Sequence, residues 1–496
     1  MPKRALSLLV TLTLIFGFLG NVSSAQAVPN SLREGTDEAA SIFDPLRPIQ
    51  VSLIREIDGP PLTHDYLDNP TYRRATVKIT FAGGKKYVVI HNVGVRLKGA
   101  TTRKLQKASL KIKFDAFVKT QRFKGLKRLT LNAMMTDPSQ VHEVTSYRLF
   151  RAAGVPAPRA GFARVTIDGS YFGLYLNLES MDSKMLKRWF PDTEHVYSGP
   201  RPCDLTPNNS CYTSNTGTTD RTDILNVGKL HTLSGGEWWR ELNKKTDIDR
   251  LMNFLAVEIF LSHWDGYGDF MRNNHYVHFD KKGKFTFIPW GTDQTFPWES
   301  KHQLTWNASK PVYLSDSTER SSLITHCLAY TRCNEKLLQA GYRISKLADR
   351  IDLAGYSQKI MNKINQKKFV KNDLNRVNPK TKTMEQDWIA QYISLSQKSL
   401  ENYLKVRPPS RVTAKLNTPL KVGTETVALV EALWEPGVSA NYQWFIGNKP
   451  LEGAKSRTLK ITKELLGKKL KLRITLKKDG VSNTVYFTRA HKVVAK

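Results

Sequence analysis

From Val51 to Leu131 apolar and polar residues alternate in short runs, among them Ala75 to Phe81 and Tyr87 to Ile90, with Gly83-Gly84 between them. A period of two broken by glycine predicts an antiparallel, half-exposed sheet. Asp137-Pro138 then offers a capping carboxylate with proline at the first helical position, and Gly154 with Pro156 offers a stop. A helix is expected from about Pro138 to Ala153. Strand periodicity returns from Gly161 to Asn177, where Asp168-Gly169 reads as the hairpin turn between Phe162 to Ile167 and Tyr171 to Leu176.

Residues 191–235, rich in Pro, Asn, Thr, Ser and Gly, read as a long surface loop. Thr246 with Asp249 resembles a capping box that opens a helix, because Leu251, Phe254, Leu255, Ile259 and Phe260 recur at helical spacing as far as His263. Two short strands, His275 to Phe279 and Phe285 to Ile288, flank a Lys282-Gly283 turn. From Ser321 to about Leu404 the period is helical again. Pro408-Pro409 ends it, and the rest of the chain alternates in short strands with turns at Glu435-Pro436-Gly437, Gly447-Asn448 and Asp479-Gly480. The fold class expected is α+β. A β-rich lobe spans about 45–180, a mainly α lobe about 236–404, and a separate all-β sandwich 409–496, in which Tyr442 to Asn448 resembles bacterial immunoglobulin-like (Ig-like) surface domains with Trp444 as core tryptophan.

Composition adds a destination and a charge. Lys3 and Arg4, the apolar stretch Ala5 to Leu19 and the small-residue pattern Ala25-Gln26-Ala27 make a signal peptide over residues 1–27, with cleavage expected after Ala27. The apolar stretch is short for a membrane span, which needs roughly 20 residues, and no later segment reaches that length. A secreted or cell-surface protein without a transmembrane segment follows. The four cysteines form two close pairs, and an oxidising compartment favours two local disulfides, Cys203 with Cys211 and Cys327 with Cys333. Neither pair has the C-x2-C spacing of a zinc site.

The formal charge of +32 favours an acidic partner, and the sandwich, with 17 basic and 6 acidic residues, is the denser part. An anionic cell-wall polymer is the partner expected there, with a plain solubilising spacer as the alternative. Nucleic acid rests on charge alone and is not expected.

Candidate chemistry concentrates between His263 and Phe296. Trp264-Asp265-Gly266, Asp269 and Asn273-Asn274 precede the hairpin, and Pro289-Trp290-Gly291-Thr292-Asp293 follows it. One Asp to position a hydroxyl, then an Asn and a later Asp to hold magnesium, is the layout of a phosphotransferase, because oxygen ligands suit a hard cation that neutralises phosphoryl charge. Asp269 precedes Asn274 by five residues and Asp265 by nine. Turn residues bonded to their own backbone meet this spacing equally well. His275 and His278 stand three apart on a strand and point to opposite faces, so histidine ligation is not expected. Upstream, Arg96, Lys98, Lys107 and Lys111 lie on two strands joined by a Gly-, Thr- and Lys-bearing turn. That arrangement suits phosphate binding or a merely solvated basic face.

These blocks together resemble the CotH family of spore-coat kinases. The matching stretches are Arg96-Leu97-Lys98-Gly99 with the strand Lys107 to Phe114, Leu131-Asn132 with the helix through Glu143, Gly154 to Arg159, Asp168 to Tyr175 ending at Glu179, Trp264-Asp265-Gly266, Asn273-Asn274, and Ile288 to Phe296. The resemblance implies a two-lobed atypical protein-kinase-like domain over residues 28–408. It also implies transfer of the ATP γ-phosphoryl group to protein hydroxyls with Mg2+ or Mn2+. It assigns Asp265 as catalytic Asp, with Asp269 as the kinase-spaced candidate, and Asn274 and Asp293 as metal ligands. Lys107 or Lys111 falls on the phosphates with Glu143 as helix partner, and Glu179 lies where the lobes join. Arg96 and Lys98 complete the cofactor side. The family usually reads Trp-Asp-x-Asp where this chain has Trp290-Gly291-Thr292-Asp293, so one carboxylate is missing. The alternative is therefore a non-catalytic surface or envelope binding protein on the same scaffold.

Overall fold

The computed structural model describes residues 35–496 apart from 100, 201, 270, 298–319, 371–372, 374–376, 410–413 and 418. The expected signal peptide and its cleavage point lie outside the described residues. The alternating segments form seven strands: β1 (Ile49–Ile54), β2 (Arg73–Thr80), β3 (Tyr87–Lys98), β4 (Ser109–Lys113), β5 (Arg128–Asn132), β6 (Ala160–Ile167) and β7 (Ser170–Leu178). From β1 to β5 the pairing is antiparallel, and in β1 to β3 one face is buried while the other stays exposed, as expected. The seven strands close into a barrel in the order β1-β2-β3-β4-β5-β7-β6, with β1 and β6 pairing in parallel. Val51, Leu53, Val77, Ile79, Val95, Ile112, Leu129 and Val165 fill its interior.

Successive strand residues point to opposite faces, and in β6 and β7 both faces are buried. Ala163, Val165, Ile167 and Tyr175 enter the barrel, whereas Phe162, Leu174, Leu176 and Leu178 join the core of the second lobe. Asp168 and Gly169, with φ of 46° and 82°, make the two-residue turn that such a hairpin requires.

Helix α1 (His142–Ala152) packs between barrel and second lobe. It begins four residues later than Pro138. The Asp137 carboxylate accepts from Gln140 N at 2.9 Å and His142 N at 2.8 Å, which stabilises an intervening turn in preference to a first helical turn. Helix α2 (Ser183–Trp189), capped by Asp182, leads out of the barrel.

The expected loop 191–235 is not one. It holds β8 (His195–Gly199) and β9 (Thr213–Ser214), and β8 sits inside a sheet ordered β11-β10-β8-β9 with β10 (His275–Phe279) and β11 (Phe285–Pro289). Tyr197, Tyr212, Ile224 and Val227 of this segment are buried. Its polar composition hid a few well-spaced apolar anchors pinned by the Cys203–Cys211 disulfide. The second bridge joins Cys327 to Cys333, so both pairings are as expected.

Among the described residues the second lobe includes the helices α3 (Gly235–Lys245), α4 (Ile248–Leu261), α5 (Ser322–Ala329), α6 (Thr331–Arg350), α7 (Leu353–Ile364) and α8 (Pro379–Val406). Helix α4 is capped by Asp247, whose side chain accepts from Arg250 N, while Thr246 bonds the carbonyl of Phe285 in place of the expected capping box. Among the described residues no helix is long and apolar enough to cross a membrane.

The C-terminal segment is all-β. Strands β12 (Ala414–Leu416), β13 (Glu425–Val430) and β16 (Thr458–Lys460) form one sheet. Strands β14 (Ser439–Ile446), β15 (Lys449–Pro450), β17 (Lys469–Lys477), β18 (Thr484–Phe487) and β19 (His491–Lys492) form the other. Trp444 is wholly buried between Leu472, Ile474 and Leu476 in this core, as expected. Glu435 faces Arg407 and Lys478 at the junction with the second lobe.

Candidate functional site

The site is built where α4 ends. Ser262 takes a left-handed conformation, φ 47°, which turns the chain out of the helix into the loop that carries Asp265. Glu258, a buried residue of α4 that the motif reading missed, pins this loop. Its Oε1 lies 3.1 Å from His263 Nδ1 and its Oε2 accepts from Gly268 N at 2.7 Å. A Cβ at residue 266 would stand 2.5 Å from Glu258 Oε1, so Gly266 is required by packing. Burial would push His263 down, but Glu258 at hydrogen-bond distance holds it above its ordinary value. His263 Nε2 donates to the carbonyl of Gly291 at 3.3 Å and so ties the loop to the segment after the hairpin.

Within this frame Asp265 is held by two amides. Asn273 Nδ2 donates to its Oδ1 at 3.0 Å and Asn274 Nδ2 to its Oδ2 at 2.6 Å. The carbonyl of Asn274 accepts from Trp290 N at 2.9 Å. Gly291 has φ 52°, and a Cβ there would meet Asn274 Oδ1 at 2.7 Å. Asn274 thus occupies the space into which a side chain at residue 291 would project.

A second group faces the first from the barrel and α1. On β3 and β4, Val95, Leu97, Leu110 and Ile112 point inward, so Arg96, Lys98 and Lys111 share the outer face. Lys98 Nζ sits 5.5 Å from the centroid of the Trp290 ring. Glu143, in the first turn of α1, accepts from Asn132 Nδ2 and from Tyr147 OH at 3.2 Å. Burial, and next the charge of Asp293, pushes Glu143 up to about 8, opposed by Lys98. Burial pushes Lys98 down, opposed by Glu143 and Asp293. Asp293 accepts from Thr136 Oγ1 through Oδ2, and its carbonyl accepts from His142 Nδ1 at 2.9 Å. Lys98, Glu143 and Asp293 are therefore electrostatic neighbours although 45 and 150 residues separate them along the chain.

The other expected residues are placed differently. Lys107 is buried and bonds the carbonyl of Leu174 at 2.8 Å and Asp373 Oδ1 at 2.9 Å. It is neither a solvated basic residue nor the partner of Glu143, and that position falls to Lys98. The correction comes from Asp373, which a distant connection between α7 and α8 carries onto the barrel. Lys111 lies among Arg128, Arg96 and Lys98. Burial, then those three charges, push it down to about 8, against the pull of Asp182. Glu179 is enclosed by Arg159, with Nη2 at 2.8 Å, and by Arg188 Nη2, which commits both carboxylate oxygens to the joint between the lobes. Asp269 is buried in a turn, its carbonyl accepting from Arg272 N at 3.2 Å.

Asp265 and Asn274, bonded to each other, and Asp293, an electrostatic neighbour of Lys98 and Glu143, are oxygen donors of the kind a hard divalent cation takes, and Lys98, Arg96 and Lys111 share a barrel face that suits an anion. These side chains are half-buried, as accessible chemistry requires, whereas Glu258, His263, Glu143 and Lys107 behind them are buried. The sequence profile of the CotH kinase protein family matches residues 95–407, a span that contains every residue of this site. Over 338 residues the chain is 26% identical to the inner spore coat protein H of Bacillus subtilis (strain 168), covering 64% of this chain and 88% of that protein. It is 41% identical to an inner spore coat protein H-like protein of the same organism over 56 residues, 11% of this chain and 18% of the relative.

Proposed function

The chain belongs to the CotH kinase protein family, and from that premise we propose that it is an exported protein kinase that transfers a phosphoryl group from ATP to protein hydroxyls. The observation that carries this reading is that both groups bear on Trp290, whose N–H bonds the carbonyl of Asn274, bonded in turn to Asp265, and whose ring centroid lies 5.5 Å from the Nζ of Lys98, the electrostatic neighbour of Glu143 and Asp293. Asp265 is the hydroxyl-positioning group. The amides of Asn273 and Asn274 fix the plane of its carboxylate, which would orient the acceptor's O–H. Asn274 Oδ1 and the Asp293 carboxylate are the ligands for Mg2+ or Mn2+, and a bound cation supplies charge neutralisation at the phosphates. Lys98, kept near Glu143, with Arg96 and Lys111, takes the phosphate oxygens. A bound phosphate chain would offset the neighbouring positive charges that, after burial, lower Lys111.

Purified protein with γ-labelled ATP, Mg2+ or Mn2+ and a mixed protein acceptor tests this. Label is expected in the parent and is expected to fall at least about 100-fold in Asp265→Asn and Asp293→Ala, the scale of losing a positioned base or a charge-stabilising ligand. Equal labelling in parent and variants would remove the assignment. One observation favours a second reading, a binding protein without catalysis: the room beside Asn274 where the family usually carries a carboxylate is filled by Asn274 itself. ATP-dependent thermal stabilisation without label transfer would select that reading. The basic all-β segment is proposed to hold the protein on an anionic envelope polymer through salt-sensitive contacts.

A further inference from the structure

Beside the backbone of Asp293, side chains of metal-ligating type from separate elements come together. Asp137 in the turn before α1, His142 at its start and Glu385 on α8 each bring one donor atom, and the three atoms lie within 4.8 Å of one another. His142 is over nine-tenths buried. Its Nδ1 is 2.9 Å from the Asp293 carbonyl oxygen, which can only accept, so the proton sits on Nδ1 and the lone pair on Nε2. That Nε2 is buried and has no hydrogen-bond partner among the described residues. A neutral imidazole with one N–H fixed by a carbonyl and the other nitrogen bare is how metal-ligating histidines are supported.

The carboxylates keep capacity for an ion. Asp137 Oδ1 accepts from Ser139 Oγ at 2.5 Å and Gln140 N at 2.9 Å, while Oδ2 accepts from His142 N at 2.8 Å, which leaves Oδ2 a free lone pair. Glu385 is half-buried on the surface of α8. Lys382, one turn earlier, is the nearby cation, and its Nζ is bonded to Gln140 Oε1 at 2.7 Å.

We propose that Asp137, His142 and Glu385 bind a divalent transition-metal ion of the zinc class, at a site separate from the oxygen-donor group around Asn274 and Asp293. One imidazole nitrogen and two carboxylate oxygens leave a fourth tetrahedral position for water, and the imidazole selects against Mg2+. Ligands of tetrahedral zinc stand about 3.4 Å apart, so the three donor atoms, already within 4.8 Å of one another, close on the ion by small side-chain rotations. The ion ties α8 to the start of α1, beside the backbone of Asp293.

The test is calorimetric titration of chelator-stripped protein with zinc chloride, without nucleotide and with excess Mg2+. One equivalent is expected to bind the parent. Glu385→Gln and His142→Gln should each weaken it at least tenfold, and Asp293→Ala, which retains the carbonyl, should bind within threefold of the parent. Circular dichroism identifies any unfolded variant, and Glu385→Gln, on a half-exposed helix surface, decides the matter if His142→Gln does not fold. The site is overturned if the parent shows no single equivalent, if a folded Glu385→Gln or His142→Gln binds as tightly as the parent, or if Mg2+ displaces the zinc.

Discussion

Replacing Asp373 by alanine breaks a buried charge pair between the barrel and the connection from α7 to α8. The Lys107 side chain has no exposed surface and that of Asp373 is 7% exposed, at 2.9 Å. Asp373 Oδ2 also accepts from Leu174 N at 2.9 Å. Breaking a buried pair by removing one partner costs about 3–5 kcal/mol, because the remaining charge is stranded. Here Lys107 keeps the Leu174 carbonyl and the Tyr175 ring, 5.0 Å from Nζ, so the lower end, about 3 kcal/mol, is expected. Lys107→Met in the Asp373→Ala background removes the stranded charge and should recover all but about 1 kcal/mol, the residue for the orphaned Leu174 N–H. Lys107→Met alone strands the buried Asp373 carboxylate at a similar cost, so urea unfolding of the parent, both singles and the double variant at pH 7.5 should give a coupling energy of about 5 kcal/mol.

Burial sets the folded Lys107 below its ordinary value, opposed by Asp373. In Asp373→Ala the folded state therefore loses its proton at lower pH than the unfolded chain. Between the two values the unfolded state binds more protons, so the deficit against the double variant shrinks as pH rises toward 10.5. A coupling below about 0.5 kcal/mol, or a deficit that does not change with pH, would refute the argument.

Gly291→Ala brings a Cβ to 2.7 Å from Asn274 Oδ1 at φ 52°. It should cost about 1–3 kcal/mol and lower nucleotide affinity, and a thermal midpoint and ATP titration equal to the parent's would contradict that. Glu143 has a folded value of about 8 against 4.5, so the folded protein keeps a proton that the unfolded chain has lost between those pH values. Parent stability should fall on the order of 1 kcal/mol per pH unit across that window, and Glu143→Gln should lack this slope in denaturant midpoints. Glu435→Ala strands Lys478, whose Nζ lies 3.5 Å from the carboxylate, and removes a second acid from Arg407. Limited proteolysis should then cut faster between the second lobe and the all-β segment, and unchanged cleavage would mean that the junction does not depend on this pair.

Much of the local structure was legible without coordinates, because its causes lie within a few residues of one another. The Asp168-Gly169 and Lys282-Gly283 turns, the apolar stripe Leu251, Phe254, Leu255, Ile259 and Phe260, the two cysteine pairs and the core role of Trp444 all follow from backbone preference and short-range periodicity. The grouping of Asp265 with Asn273 and Asn274 belongs here too, since one loop carries all three. Local pattern could not decide which distant groups meet. A period of two fits an open sheet and a barrel equally, and closure depends on β1 finding β6 more than a hundred residues away. Lys107 and Lys98 look alike in sequence, yet Asp373 claims the first while Glu143 and Asp293 surround the second. Glu258 gave no signal because a carboxylate on an apolar helix acquires meaning only when the helix end folds His263 and Gly268 back onto it. Segment 191–235 looked like a loop because its few apolar residues find partners only in β10 and the helices beyond. Side-chain burial and charge pairing are properties of contacts made across the chain, and only the tertiary structure supplies them.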